Sequence, residues 1–251
     1  CEDIDEVKDT SINCSTRGFD EGGSTTLVEW NKGEQIYLYR AEDWTPALLD
    51  LTSGAGSSTA TFQGSTAGTK AGYYAIRPAA AAGAIRNNGE ISITIEPTNI
   101  FFANENSSTA VPQIGKGNAK GVTFSPIFGA MKFNIEGISS VSSVEVSVPG
   151  QERGVCGTFQ CKLTDESIYG EDVEYEVERV CSPAVDISSS KAIYVALPPG
   201  GYKAVELLVT DAESGDKHLY RAQNIAVRRG SFTSISASSY VYVPNVVGRW
   251  H

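Results

Sequence analysis

Glu90-Ile-Ser-Ile-Thr-Ile95 alternates polar and apolar residues without a break, and Pro97 ends the pattern. Strict alternation puts every second side chain on one face, which is typical of a β-strand with one buried face. The chain continues in the same manner on both sides, with Gly72-Tyr-Tyr-Ala-Ile76 before this segment and Ala192-Ile-Tyr-Val-Ala-Leu197 after it. Such short apolar segments, separated by Gly, Pro, Asn and Ser, recur along the chain at the intervals expected of β-sandwiches. The sequence therefore predicts an all-β fold.

The length of 251 residues favours two domains, since single domains most often have about 100–150 residues. Residues 103–120 are polar and contain several glycines, which makes them the best candidate for a linker. We therefore expect a leader and first strand over 1–18, an N-terminal β-sandwich domain over 19–120 and a C-terminal β-sandwich domain over 121–251.

The formal net charge of −10 argues against nucleic acid as a partner, because binding to a phosphate backbone requires a basic surface. The longest apolar runs are far shorter than the roughly 20 residues of a membrane-spanning helix. Charge and hydropathy thus favour a protein that is neither a nucleic-acid binder nor an integral helical membrane protein.

Cys1 is followed by an acidic segment with Glu2, Asp3, Asp5, Glu6 and Asp9. Signal cleavage directly before a cysteine is the hallmark of lipoprotein maturation, and several acyl chains give nearly permanent anchoring. We expect Cys1 to be lipidated and the acidic segment to be a solvated tether. The alternative is a cysteine left by truncation or by a tag.

The other cysteines are Cys14, Cys156, Cys161 and Cys181. Their spacing fits neither a zinc site nor a thioredoxin-type motif, so we expect buried thiols or one disulfide, and no metal. The sequence also lacks a nucleophile elbow, a zinc helix, a phosphate loop and a dinucleotide fingerprint, and it has only two histidines. We expect no catalytic residues, no cofactor and no enzymatic activity.

Several segments, in a consistent order, resemble the fimbrillin-like family of Bacteroidetes, whose members are lipoprotein precursors of surface pili and of their anchors and tips. The family's tryptophan, glycine and acidic residue before an apolar strand resemble Trp30-Asn-Lys-Gly-Glu-Gln-Ile-Tyr-Leu-Tyr39. The other similar segments are Tyr73-Tyr-Ala-Ile-Arg-Pro78, Val122-Thr-Phe-Ser-Pro-Ile-Phe-Gly-Ala-Met-Lys-Phe133, Val195-Ala-Leu-Pro-Pro-Gly-Gly-Tyr202 and Asn224-Ile-Ala-Val-Arg-Arg-Gly-Ser-Phe-Thr-Ser-Ile235.

The resemblance implies two transthyretin-like β-sandwiches in tandem and a surface-exposed lipoprotein of the outer membrane. It also implies a stalk, tip or anchor subunit of a fimbrium that supports adhesion. Its partners would be other fimbrial subunits, which bind by strand exchange, and a host or bacterial surface ligand. In that process a protease cuts after an arginine, the first strand leaves with its lipid, and a strand from another subunit fills the exposed groove.

On this basis Arg17 and Gly18 flank the predicted cut, and Ile12 and Cys14 are the inward residues of the removable strand. This apolar pair is weaker than the aromatic residue usual in the family. The alternatives are that Arg17 is an ordinary loop arginine, and that an anchor subunit keeps its lipid.

The last residues contain alternating apolar positions, Tyr240, Tyr242 and later Val246, which form a candidate donor strand. The alternative is an ordinary last strand of the second domain, in which Pro244 would interrupt pairing. The main alternative function is a stand-alone surface lipoprotein that binds glycans or host protein through its loops, with Trp44, Tyr73 and Tyr74 as contacts.

Overall fold

The computed structural model describes residues 6–21, 24–25, 29–97, 99–105, 111–235 and 240–243. The prediction of an all-β fold is confirmed: the described residues form twenty-two strands, and the one helical segment among them is the 3₁₀ turn Ala79–Ala81. Within the described part of the chain, no helix has the length and apolar character needed to cross a membrane.

The strands of the first structural unit close into a ring with the order β1-β12-β11-β7-β4-β5-β6. Their bounds are β1 (Val7–Thr16), β4 (Gln35–Arg40), β5 (Pro46–Ser53), β6 (Thr59–Ala67), β7 (Tyr73–Arg77), β11 (Gln113–Asn118) and β12 (Gly121–Pro126). Between β1 and β4 along the chain, β2 (Asp20–Glu21) and β3 (Ser24–Thr25) form a separate short antiparallel pair. The core of the ring is built on Trp30, which is 1% exposed.

The remaining strands form three further sheets, with the orders β10-β18-β13-β21, β17-β14-β19-β20-β22 and β16-β15-β9-β8. Their bounds are β8 (Ala82–Ile85), β9 (Glu90–Ile95), β10 (Ile100–Phe102), β13 (Gly129–Asn134), β14 (Ser140–Ser147), β15 (Cys156–Lys162), β16 (Ser167–Glu174), β17 (Glu176–Asp186), β18 (Ala192–Leu197), β19 (Gly200–Asp211), β20 (Lys217–Val227), β21 (Phe232–Ile235) and β22 (Tyr240–Val243). The buried residues of these sheets belong to one apolar cluster, so the sheets share a core.

Strand pairing does not follow the predicted domain boundary at residues 120 and 121. The strand β9, which precedes the boundary, pairs with β15, and β10 pairs with β18. In the opposite direction β12 follows the boundary but completes the ring of the first unit. The chain thus enters the second set of sheets at β8, returns to the ring for β11 and β12, and enters the second set again at β13.

Part of the predicted linker is a strand inside the ring, because β11 pairs with β7 on one side and β12 on the other. The glycines there permit close packing. A Cβ on Gly115 would lie 2.7 Å from Cγ1 of Val122, and one on Gly117 would overlap the carbonyl oxygen of Gly121. Glycine in this segment therefore marks a close approach within the sheet, which a sequence pattern does not distinguish from a loop.

Candidate functional site: the first strand and the Arg17–Gly18 bond

The first strand is held in the ring from both sides. It pairs antiparallel with β6 from Val7 opposite Ala67 to Ser15 opposite Thr59, and it pairs parallel with β12 over Cys14 to Thr16. Its removal would open the ring and leave the facing edges of β6 and β12 with unpaired backbone groups, which are a template for another strand. We call the space between β6 and β12 the β1 groove.

Alternation along β1 directs Ile12 and Cys14 into the ring. They are 0% and 2% exposed, whereas their neighbour Asn13 faces solvent. Both belong to the core of the ring, whose centre is Trp30 with Phe62 and Phe124 packed edge-on at ring-centroid distances of 5.0 and 5.2 Å. The two residues predicted from the sequence to face inward are thus the apolar contacts of the strand.

Cys14 is one of four buried cysteines, all of which carry free thiols. Burial raises the pKa of the Cys14 thiol to about 12, and the nearby charge of Arg77 opposes this shift only in part. A thiol in this state is nearly all protonated at neutral pH and is therefore inert. The alternative of one disulfide among these cysteines is not what the structure shows.

A buried polar cluster holds the end of β1, and we call it the Gln113 cluster: Thr16, Arg77 and Gln113. The Thr16 hydroxyl donates to Oε1 of Gln113. It also accepts a hydrogen bond from Nη1 of Arg77 at 3.0 Å. The same Gln113 oxygen accepts from Nη1 of Arg77 at 3.3 Å. All three residues are at most 8% exposed. The strand end is therefore fixed by side-chain hydrogen bonds in addition to apolar contacts.

Arg77 is itself oriented by an ion pair and an aromatic ring. Its Nε and Nη2 donate to the two carboxylate oxygens of Glu34 at 2.6 and 2.8 Å, and its guanidinium lies 3.7 Å from the centre of the Trp30 ring. Burial lowers the pKa of Arg77, and the hydrogen bond and charge of Glu34 oppose that shift. This two-point geometry leaves Nη1 directed at Thr16 and Gln113.

The Arg17–Gly18 bond follows the Gln113 cluster directly. The Arg17 side chain is exposed, but its main chain is held: its N–H donates to the Phe124 carbonyl at 2.9 Å, and its carbonyl accepts from Nε2 of Gln113 at 2.9 Å. Arg17 and Gly18 line an open cleft of about 610 Å³, together with Asp20, Ser125, Pro126, Glu166, Arg229 and Gly230. At the predicted cleavage site the Arg17 side chain is thus accessible, whereas the Arg17 backbone is paired and Gly18 is buried.

Beyond Gly18 the chain is anchored in the other core. Phe19 is 1% exposed and packs against Phe101 and Phe232 at ring-centroid distances of 6.2 and 5.1 Å. The N–H of Asp20 donates to the Gly230 carbonyl at 2.7 Å. The Arg17–Gly18 bond therefore lies at the border between the contacts of β1 with the ring and those of Phe19 with the second unit.

The other predicted residues lie elsewhere. Tyr240 and Tyr242 are in β22, which pairs antiparallel with β20 at the edge of a sheet, as an ordinary last strand does. Cys1 and Val246 lie outside the described residues. Among the described residues, no group of three or more His, Cys, Asp or Glu side chains is placed to hold a metal ion.

Of the three aromatic residues predicted as ligand contacts, Tyr73 is in the core. It is 2% exposed, and its hydroxyl donates to the Ala67 carbonyl at 2.7 Å, so its assignment as a surface contact is wrong. Trp44 and Tyr74 are half-buried neighbours with ring centroids 5.3 Å apart. The alternation of the strand explains the difference, because adjacent residues of β7 point to opposite faces.

The sequence did not predict a role for Arg77, Gln113 or Glu34. Arg77 is separated from Gln113 by 36 positions and from Thr16 by 61, so no local pattern joins them. The available signals were Glu34, which is the acidic residue of the motif that begins at Trp30, and Arg77, which lies in the similar segment that ends at Pro78.

No protein-family model matches the sequence, and no curated protein matches it. The chain aligns along most of its length with three solved structures of proteins proposed to act in cell adhesion. One from Bacteroides fragilis has 10% identity and a TM-score of 0.45, covering 94% of this chain and 99% of its own. One from Bacteroides eggerthii has 11% identity and a TM-score of 0.43, covering 93% of this chain and 94% of its own. One from Parabacteroides distasonis has 8% identity and a TM-score of 0.35, with coverages of 95% and 96%.

Proposed function

We propose that this chain is a structural or accessory subunit, at the stalk, tip or anchor, of a cell-surface fimbrium that supports adhesion. In this proposal it is exported as a lipoprotein of the outer membrane through Cys1. Its partners are other fimbrial subunits, which it binds by β-strand exchange, and a surface ligand of a host or another bacterium. The proposal assigns it no catalytic role.

The observation that carries the proposal is the position of β1 in the ring. A strand that is paired on both sides, and whose removal opens an apolar groove, is the element that strand exchange requires. An exposed arginine follows it directly, and the residue after Gly18 is anchored in a different core. A cut after Arg17 would therefore free β1 and leave the remaining chain anchored through Phe19.

The strength with which β1 is held also suits exchange. Only Ile12 and Cys14 contribute apolar burial, and cysteine is small, so the strand relies on backbone pairing and on Thr16 in the Gln113 cluster. A better-packed strand from another subunit would have a margin of stability over β1. The weak apolar contacts of Ile12 and Cys14 would therefore allow a strand from another subunit to replace β1.

Limited trypsin digestion of the purified full chain tests the proposal. We expect cleavage after Arg17, release of the strand, and ladders of assembled chains on gels. An Arg17→Ala chain should stay intact at this position and monomeric. Arg86→Ala is the matched control, since Arg86 is also an exposed arginine but lies in a turn far from β1, and it should assemble like the native chain.

A nicked chain that stays monomeric would overturn strand exchange by this chain. The alternative would then gain support, namely a surface lipoprotein that binds glycans or host protein through its loops. The half-buried pair Trp44 and Tyr74 favours it, because adjacent aromatic rings at a surface can stack on a ligand. Binding of the monomer to a glycan array, and its loss in a Trp44→Ala chain, would identify that function.

A further inference from the structure

The Gln113 cluster faces one defined position of the strand that occupies the β1 groove. Residues 12, 14 and 16 point inward, so the cluster meets the third inward position, two residues after the second apolar one. The first two positions contact apolar side chains of the ring, and any strand with two apolar residues at this spacing satisfies them. The third position contacts polar atoms, which have directional requirements.

The Thr16 hydroxyl meets two different requirements at this position. It donates to Oε1 of Gln113 and accepts from Nη1 of Arg77. A hydroxyl can do both at once, whereas an aliphatic side chain can do neither and a carboxylate can only accept. Gln113 also donates to the Arg17 main-chain carbonyl, which a strand of any sequence supplies, and accepts from Nη1 of Arg77, which belongs to the ring itself. The side chain at the third position is therefore the feature that can distinguish one strand from another.

Burial makes this requirement costly to ignore. Gln113 is 1% exposed when the groove is filled, so water does not replace a missing partner. An inserted strand with valine at the third position would leave Oε1 of Gln113 and Nη1 of Arg77 with only the 3.3 Å bond between them, because the hydroxyl that joins both would be gone. Losing hydrogen bonds inside a buried cluster, where water does not take their place, costs more than losing an exposed hydrogen bond.

We propose that the β1 groove selects an incoming strand of the form apolar-x-apolar-x-Ser/Thr, and that Gln113, oriented together with Arg77, recognises the hydroxyl. The partner is thus a β-strand of another subunit with this pattern. The inference rests on the proposed strand exchange and adds to it the residue that determines specificity. Glu34 and Trp30 act in this recognition as positioning residues, since they orient Arg77 without contacting the strand's hydroxyl.

Competition between synthetic strands tests the selection. The full chain, nicked after Arg17, is incubated with labelled peptides of residues 6–17, and dissociation constants are measured by fluorescence anisotropy. The native peptide and a Thr16→Ser peptide should bind within about threefold of each other. A Thr16→Val peptide of nearly the same shape should bind about tenfold more weakly or worse. A Ser11→Ala peptide, changed at an exposed position, is the control and should bind like the native one.

A Gln113→Leu chain links the discrimination to the cluster. Its ratio between the native and Thr16→Val peptides should differ clearly from that of the native chain, because the oxygen that accepts from the hydroxyl is gone while Nη1 of Arg77 still donates to it. Gln160→Leu is the matched control: Gln160 is also a buried, hydrogen-bonded glutamine, but it lies on β15 in the second unit. That chain should keep the tenfold ratio.

Equal binding of the native and Thr16→Val peptides to the nicked native chain would overturn the selection while leaving strand exchange intact. If no peptide exchanges into the nicked chain, the native sequence included, then strand exchange itself is overturned and the selection with it. The peptide comparison requires no altered protein, so it decides the question even if the Gln113→Leu chain fails to fold.

Discussion

Replacing Ile12 by alanine measures how firmly the first strand is held in the ring. Ile12 is 0% exposed and is paired with Phe62 across the sheet. Truncation of a fully buried isoleucine to alanine costs about 2–5 kcal/mol, from the lost apolar burial and from the cavity that remains. In the intact chain this loss lowers the free energy of unfolding of the ring.

In the chain nicked after Arg17 the same loss has a larger consequence. The strand is then held without a covalent bond, so the full cost enters its dissociation constant. At about 1.4 kcal/mol for each factor of ten, the Ile12→Ala strand should dissociate about 30-fold to several thousand-fold more readily. The assay is the release of a fluorescent label on the strand, followed by size-exclusion chromatography.

Ser11→Ala provides the reference, because Ser11 is the exposed neighbour on the same strand. It should change dissociation by less than about threefold, as expected of a surface substitution. If the Ile12→Ala strand left no faster than this reference, the apolar contacts would not hold β1, and the account of the groove given above would be refuted.

Three further predictions concern other parts of the chain. In chemical denaturation, Gly89→Ala should lower the free energy of unfolding well beyond Gly33→Ala. Both glycines have positive φ, +78° and +75°. However, a Cβ on Gly89 would lie 2.5 Å from Cζ2 of Trp44, whereas a Cβ on Gly33 would meet nothing within 4 Å. The Gly33 change should itself cost about 1–2 kcal/mol, so equal effects would contradict the packing of Trp44 on Gly89. Burial raises the pKa of Glu42, but hydrogen bonds from main-chain N–H groups and a threonine hydroxyl outweigh it and lower the pKa from 4.5 to about 2. A carboxylate whose pKa is lower in the folded state stabilises the fold above its unfolded pKa, and this stabilisation is lost as the pH falls. Glu42→Gln should therefore flatten the decline in stability between about pH 4.5 and pH 2. The measurement is an acid titration monitored by tryptophan fluorescence. The buried Cys14 thiol, whose pKa is raised to about 12, should resist alkylation at about pH 8 in the intact chain and react once β1 is released. Peptide mass spectrometry measures the extent of alkylation. Rapid alkylation of the intact chain would show that the strand is not held.

Alternation of residue type predicted the strands and the direction of their side chains. In β9 the residues Ile91, Ile93 and Ile95 are all at most 1% exposed, as strict alternation requires. The same rule correctly places Ile12 and Cys14 on the inward face of β1. These predictions succeed because a period of two is a local property that the backbone of a strand imposes.

Pairing partners were not predictable in the same way. The interdomain linker was expected where β11 lies, because glycine indicates both flexible loops and close packing within a sheet. Gly115 is present because of close packing, since side chains of Val122 and Phe124 occupy the space that a Cβ would need. The Gln113 cluster was missed for a related reason: Thr16 and Gln113 are 97 positions apart, and only the order of strands in the ring brings them together.

The location of the Arg17–Gly18 bond determines what a cut there would release. Residues up to Thr16 are bound to the ring, and Phe19 is bound to the core of the second unit. A cut several residues earlier would leave Thr16 and Cys14 in the groove and block an incoming strand. A cut after Phe19 would remove an aromatic side chain from a core that no incoming strand refills. A cut after Arg17 would empty the groove and leave Phe19 in the second unit, which is what replacement of the strand by a partner requires.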